Sequence, residues 1–168
     1  MIYGIGTDAV EVSRIQDVLA RRGERFVERI LGPREREVHA ARSARSPQRG
    51  LLFLATRFAA KEAIAKALGL GMRQPMDWQA AQIVNARSGR PEVLADGPLG
   101  DYLRERGLRL HISVSDLENL AIAYAVAESI PESIPEPIAE SMAKSIVPGS
   151  PDISGNPLSG ASAGRATA

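Results

Sequence analysis

The spacing of apolar residues changes period several times along the chain, and each change marks an element. "MIYGIGTD" reads as a short first strand ending in a Gly-Thr-Asp turn. Val12, Ile15, Val18 and Leu19 then recur at helical spacing. That pattern stops at Gly23 and resumes for a turn or two through Phe26, Val27 and Ile30. Pro33 suits a first helical turn, which predicts a helix to about Ala44. "SARSPQRG" reads as a loop, and residues 50–68 as the longest helix, closed by Gly69 and Gly71. "WQAAQIVNARSGRPEVLAD" predicts a hairpin turning at Ser88 and Gly89, and Pro98 to Arg106 a helix stopped by Gly107. "LRLHISVSD" and "NLAIAYAVAE" predict two final, paired strands. The sum is an α+β domain, with a mainly antiparallel sheet packed on one long central helix.

After Ala127 the pattern is lost. "ESIPESIPEPIAESMAKSIV" is a quasi-repeat that gives way to Pro, Gly, Ser and Ala. Its recurrent prolines interrupt helix and ladder alike, and it has little apolar surface to offset the entropy of ordering. The expected organisation is a domain over residues 1–127 and a low-complexity, disordered tail over 128–168. A short docked helix over 136–146, through Ile138, Met142 and Ile146, is the second reading.

Composition narrows the chemistry. Among 168 residues there is no cysteine, which removes disulfides, thiolate zinc sites and cysteine nucleophiles and fits the cytoplasm. His39 and His111 are the only histidines, so a metal here is expected to be a hard cation on oxygen, such as Mg²⁺. Neither a membrane-spanning apolar run nor a secretory leader is read in the sequence. The net charge of +1 hides an asymmetry: between residues 14 and 49 ten arginines face five acids. An arginine surface suits an acidic protein or a phosphate-bearing ligand. A non-enzymatic module binding RNA or an acidic protein is therefore a competing reading. With aromatics at only 4%, the chain lacks the aromatic-basic interleaving of a single-strand platform.

On the predicted long helix, Glu62 and Lys66 are four residues apart and nearly superimposed, with Phe58 one turn earlier. Arg57 and Lys61 form a neighbouring row. Alone, such a Glu-Lys pair is an ordinary solvated feature. Asp8 adds a second carboxylate, after a "GIG" whose glycines would allow close approach of a ligand. A strand carboxylate and a helix carboxylate would together share one Mg²⁺, with Lys66 and Arg57 neutralising phosphate oxygens. A turn or capping role for Asp8 stands beside that reading.

Four stretches, in this order, carry a resemblance: "GIGTDAVEVSRI" (4–15), "RFAAKEAIAKALGLGM" (57–72), "GRPEV" (89–93) and "HISVSD" (111–116). Over residues 1 to about 127 the chain resembles the short bacterial 4′-phosphopantetheinyl transferases, the holo-[acyl-carrier-protein] synthase family. That resemblance implies transfer of 4′-phosphopantetheine from coenzyme A to a serine of apo acyl carrier protein, releasing adenosine 3′,5′-bisphosphate. It implies Asp8 and Glu62 as Mg²⁺ ligands, and Glu62 and Lys66 as the catalytic pair. It implies Arg57, Lys61, Gly89, Arg90, Pro91 and His111 as coenzyme A contacts. Arg14, Arg21, Arg22, Phe26 and Arg29 would dock the acidic carrier. Members form homotrimers with intersubunit active sites; neither nucleic acid nor membrane is an expected partner. The proton acceptor stays open between water in the metal's shell, Glu62 and a relay of bulk water. Many relatives carry His where this chain has Asp116, to which no catalytic role is assigned.

Overall fold

The computed structural model describes residues 1–130. The quasi-repeat and the suggested 136–146 helix lie outside them. The elements run β1 (Ile2–Glu11), α1 (Val12–Arg22), α2 (Glu24–Ile30), α3 (Pro33–Arg45), α4 (Pro47–Leu68), β2 (Ala81–Asn85), β3 (Pro91–Ala95), α5 (Gly97–Glu105), β4 (Leu108–Asp116) and β5 (Leu120–Ser129). Two antiparallel sheets result, a three-stranded one in the order β1-β5-β4 and the β2-β3 hairpin. The expected α+β architecture, an antiparallel sheet on a long helix, is the one observed.

Helix α4 is the axis of the fold. It packs on β1, β4 and β5, on α1, α2 and α3, and on β2, so nearly every side of it is covered. A helix so enclosed must be apolar almost all round, which explains its run of alanines. Ala59, Ala60, Ala63 and Ala67 are buried on α4, and Ala121, Ala123, Ala125 and Ala127 are buried on β5. Small residues on both surfaces let the sheet lie close to the helix. Gly4 and Gly6 carry this furthest: a Cβ on either would strike the carbonyl oxygen of Ala67 or Ala63 respectively. These glycines therefore admit the helix backbone rather than a ligand.

Three boundaries differ from the sequence reading. β1 does not turn at Thr7 and Asp8; they pair with Tyr124 and Ala123, and the strand continues to Glu11. Ladder formation with β5 overrides the turn preference of Gly-Thr-Asp. "SARSPQRG" is two helices meeting at Ser46, whose extended backbone (φ −164°, ψ 124°) is the conformation a following proline favours. Pro47 then starts α4 at a position where its missing N–H costs nothing. Finally, Glu128 and Ser129 complete β5 rather than opening a tail, with Glu128 opposite both Ile2 and Arg109.

Candidate functional site

Asp8 lies within β1 on the face turned to α4, where Gly6 has let the two backbones close. Lys66, on the last turn of α4, crosses to it: Nζ donates to Asp8 Oδ1 at 2.8 Å and to the Thr7 carbonyl at 2.9 Å. Lys66 thus binds Asp8 rather than Glu62 one turn below it. Glu62 is half-buried and, among the described residues, has no hydrogen bond or ion pair. Burial raises its pKa; the nearby Asp8 carboxylate raises it further, and Lys66 offsets part of the rise. Two carboxylates repelling one another, one of them unpartnered, make a site that would gain from a cation. The donors are hard oxygens at the protein surface, so Asp8 and Glu62 fit Mg²⁺.

Arg57 and Lys61, expected beside them, are turned inward instead. Lys61 Nζ is fully buried and donates to Glu35 Oε2 at 2.6 Å, to the Ile30 carbonyl at 2.7 Å and to the Trp78 carbonyl. All three ammonium donors are used, so Lys61 has none left for a phosphate. Burial lowers its pKa, while Glu35 counters the shift. Arg57 donates from Nε to the Ile83 carbonyl at 3.0 Å and from Nη2 to Asn85 Oδ1 at 3.1 Å. Its guanidinium also lies over the Phe53 ring, 4.2 Å from the centroid. Burial pulls its pKa down to about 10. Both are corrections: in this chain these two cations are part of the interior, and Lys66 alone of the helix's basic residues reaches the Asp8 site.

Glu35 is the residue that the sequence reading missed. In the sequence it is one of the five acids among the arginines of residues 14–49; in the structure it is buried and accepts from Gly32 N–H (2.9 Å), Ile83 N–H (2.9 Å) and Lys61. One signal was available. Glu35 is the third residue of a helix opened by Pro33, where a glutamate reaches back to the N-cap amide. Its other partners are distant in sequence and leave no local trace.

Arginines of α1 and α2 line two grooves. Arg21, Arg22, Phe26 and Arg29 border one open groove of ≈ 760 Å³ along α1 and α2. A second groove, of ≈ 260 Å³, runs between Arg14, Ile15, Val18, Arg21, Phe26 and Phe58. Phe58 belongs to the same side of α4 as Glu62, so this groove leads from the arginines toward the carboxylates.

Known proteins share this sequence and fold. Residues 4–125 match the family model of the 4′-phosphopantetheinyl transferase superfamily. A holo-[acyl-carrier-protein] synthase of Cupriavidus metallidurans is 53% identical over 126 residues, spanning 75% of this chain and 88% of the relative. The chain belongs to the 4′-phosphopantetheinyl transferase superfamily. Among solved structures, the Neisseria meningitidis holo-[acyl-carrier-protein] synthase superposes with a TM-score of 0.69 at 40% identity, covering 76% of this chain and 99% of that one. A Bacillus anthracis synthase solved in complex with CoA (3′,5′-ADP) gives 0.64 at 33%, covering 77% and 99%.

The remaining residues expected to contact coenzyme A lie apart from Asp8 within one chain. Gly89, Arg90 and Pro91 shape the β2-β3 turn, where Asn85 Nδ2 donates to the Gly89 carbonyl at 2.8 Å. His111 stands opposite Val126, whereas Asp8 stands opposite Ala123. Side chains three residues apart on a strand leave opposite faces, so His111 and Asp8 are on opposite sides of the sheet. His111 is 2.8 Å from Glu128, whose pKa that bond lowers. Trp78 stacks on Phe58 at 4.8 Å and 25°, bordering the carboxylate side of α4.

Proposed function

We infer that this chain transfers 4′-phosphopantetheine from coenzyme A to a serine of apo acyl carrier protein, releasing adenosine 3′,5′-bisphosphate in the service of fatty acid biosynthesis. The observation that carries this reading is the meeting of Asp8, Glu62 and Lys66, from a strand and a helix more than fifty residues apart, in a transferase-family fold.

Asp8 and Glu62 would hold Mg²⁺, which when bound supplies positive charge to the pyrophosphate of coenzyme A. The serine oxygen forms a bond to the β-phosphorus, and the bond from that phosphorus to the bisphosphate oxygen breaks. The serine proton passes to Glu62 or to water. Lys66, half-exposed and already directed at Asp8, neutralises charge growing on the leaving oxygen. Most of the protein's contribution is then orientation and charge, fixed before the substrates arrive.

Carrier protein approaches over α1 and α2. Arg14, Arg21, Arg22 and Arg29 meet its acidic surface, and Phe26 and Phe58 floor the apolar groove that leads inward. Such charge complementarity speeds encounter and sets orientation.

The active unit is a homotrimer, with each site completed by a neighbour. Support comes from the outer face of the three-stranded sheet. Tyr3 (48% exposed), Ile5 (57%), Ile122 (37%) and Tyr124 (46%) line one contiguous apolar surface there, more than scattered exposure requires. His111 shares that face, so it and the β2-β3 turn with Arg90 serve coenzyme A across a subunit boundary. The reaction belongs to the cytoplasm; no helix among the described residues is long and apolar enough to cross a membrane.

The deciding test incubates apo acyl carrier protein with this chain, coenzyme A and Mg²⁺ and weighs the carrier. A mass gain of one phosphopantetheine is expected. An unchanged mass across several carriers would leave the arginine-rich binding module as the better account.

A further inference from the structure

Glu35 and Lys61 are buried charges with no part in the chemistry above. An ion pair enclosed this completely adds little stability over apolar side chains of the same shape, because desolvation cancels most of the attraction. Its value lies in direction. Apolar contacts through Phe26, Val27, Ile30 and Leu31 hold α2 down, but they tolerate sliding. The ammonium and carboxylate do not, since each of their bonds demands one position.

Those bonds reach a specific set of places. Lys61 holds the carbonyl of Ile30, the last residue of α2, and the carbonyl of Trp78, whose ring stacks on Phe58. Glu35 holds the amide of Gly32, two residues beyond α2, and the amide of Ile83 on β2. Lys61 also precedes Glu62 directly, so its side chain leaves α4 about 100° around from the carboxylate. By contrast, Asp8 reaches α4 through the β1 ladder and the Gly4 and Gly6 contacts, and no hydrogen bond among the described residues joins the two clusters.

We propose that Glu35 and Lys61 form a positioning pair, which keeps the arginine-bearing helix α2 in register with Glu62 so that a docked carrier presents its serine at the carboxylates. Lys61 acts through Glu35 and the α2 terminus, not by touching coenzyme A. This rests on the carrier-docking reading of α1 and α2.

The test is steady-state transfer by the full chain with Mg²⁺, varying coenzyme A and apo carrier separately. The Glu35→Leu/Lys61→Met double variant removes both charges while keeping comparable volume, and Glu35→Asp keeps both charges while shortening the reach. Expected for each folded variant is a carrier KM raised about fivefold or more, or kcat lowered as much, with coenzyme A KM within about twofold. Should the double variant fail to fold, Glu35→Asp alone decides. Unchanged carrier parameters would reduce the pair to a purely structural role, and a selective rise in coenzyme A KM would make Lys61 a ligand contact; either overturns the proposal. Arg21→Glu is run alongside. If that variant leaves carrier KM unchanged, the docking reading has failed, separately from the pair.

Discussion

Lys66 Nζ lies 2.8 Å from Asp8 Oδ1, bridging the last turn of α4 and the middle of β1. Because the ammonium is spent on Asp8, Glu62 keeps an unpartnered carboxylate next to a second negative charge. The centre is therefore set up to receive a cation before any substrate arrives, and its members have separable roles.

Replacing Asp8 or Glu62 by Ala removes an oxygen donor from a half-open position, so the fold should persist while transfer in Mg²⁺ falls to background. Circular dichroism and the carrier mass assay read the two effects. Lys66→Met should lower kcat by about 10²-fold, the scale of one lost charge-stabilising donor. Near-normal rates in both carboxylate variants would remove them from the site.

The raised pKa of Glu62 has a consequence for the metal-free protein. A carboxylate whose folded pKa exceeds its unfolded value favours the fold fully below the unfolded pKa, and that contribution is lost as pH rises through the folded one. At neutral pH, without metal, ionised Glu62 is a burden. Glu62→Gln should therefore raise the apparent Tm in chelator at pH 7, through a stability gain of under about 1 kcal/mol since the group is partly solvent-screened. The gain should vanish near pH 4, and added Mg²⁺ should raise the Tm of wild type more than that of the variant. A variant less stable than wild type in chelator at pH 7 would contradict this.

Gly6→Ala places a methyl group against the Ala63 carbonyl and must push β1 off α4. A loss of about 1–3 kcal/mol is expected from overpacking of this kind, together with weakened Mg²⁺ dependence of transfer as Asp8 moves from Glu62. Denaturant unfolding and a Mg²⁺ titration of the rate measure the two.

Charge reversal at Arg14 and Arg21 should raise carrier KM at low salt and spare coenzyme A KM. The difference from wild type should shrink as ionic strength rises and the Debye length contracts. A salt-independent defect would point to lost packing instead of lost attraction.

Tyr124→Glu puts a charge at the centre of the exposed sheet face. Sedimentation should show the wild type as a trimer and the variant as smaller species. Activity should fall with assembly, although Tyr124 lies on the opposite side of the sheet from Asp8. A wild-type chain that sediments as a monomer and is fully active would end the trimer reading.

By itself the sequence determined the order of the elements and singled out Asp8 and Glu62 as the carboxylates on which the proposed site rests. Helical spacing, prolines at first turns and glycines at stops are local signals, and Asp8, Glu62 and Lys66 stand in motifs that survive as short strings. It also placed the arginines, because α1 and α2 are contiguous and their exposed faces follow from period alone. Only the tertiary structure decided which charges of α4 face outward. Arg57, Lys61, Glu62 and Lys66 look equivalent along the helix, yet Glu35, Ile83 and Trp78 come from other elements to draw the first two inside. The same holds for Gly4 and Gly6, whose use depends on a helix backbone some sixty residues away, and for Thr7 and Asp8, which a partner strand pulled out of their turn. Whether a buried charge finds its partner is a matter of three-dimensional proximity, and no spacing rule along the chain encodes it.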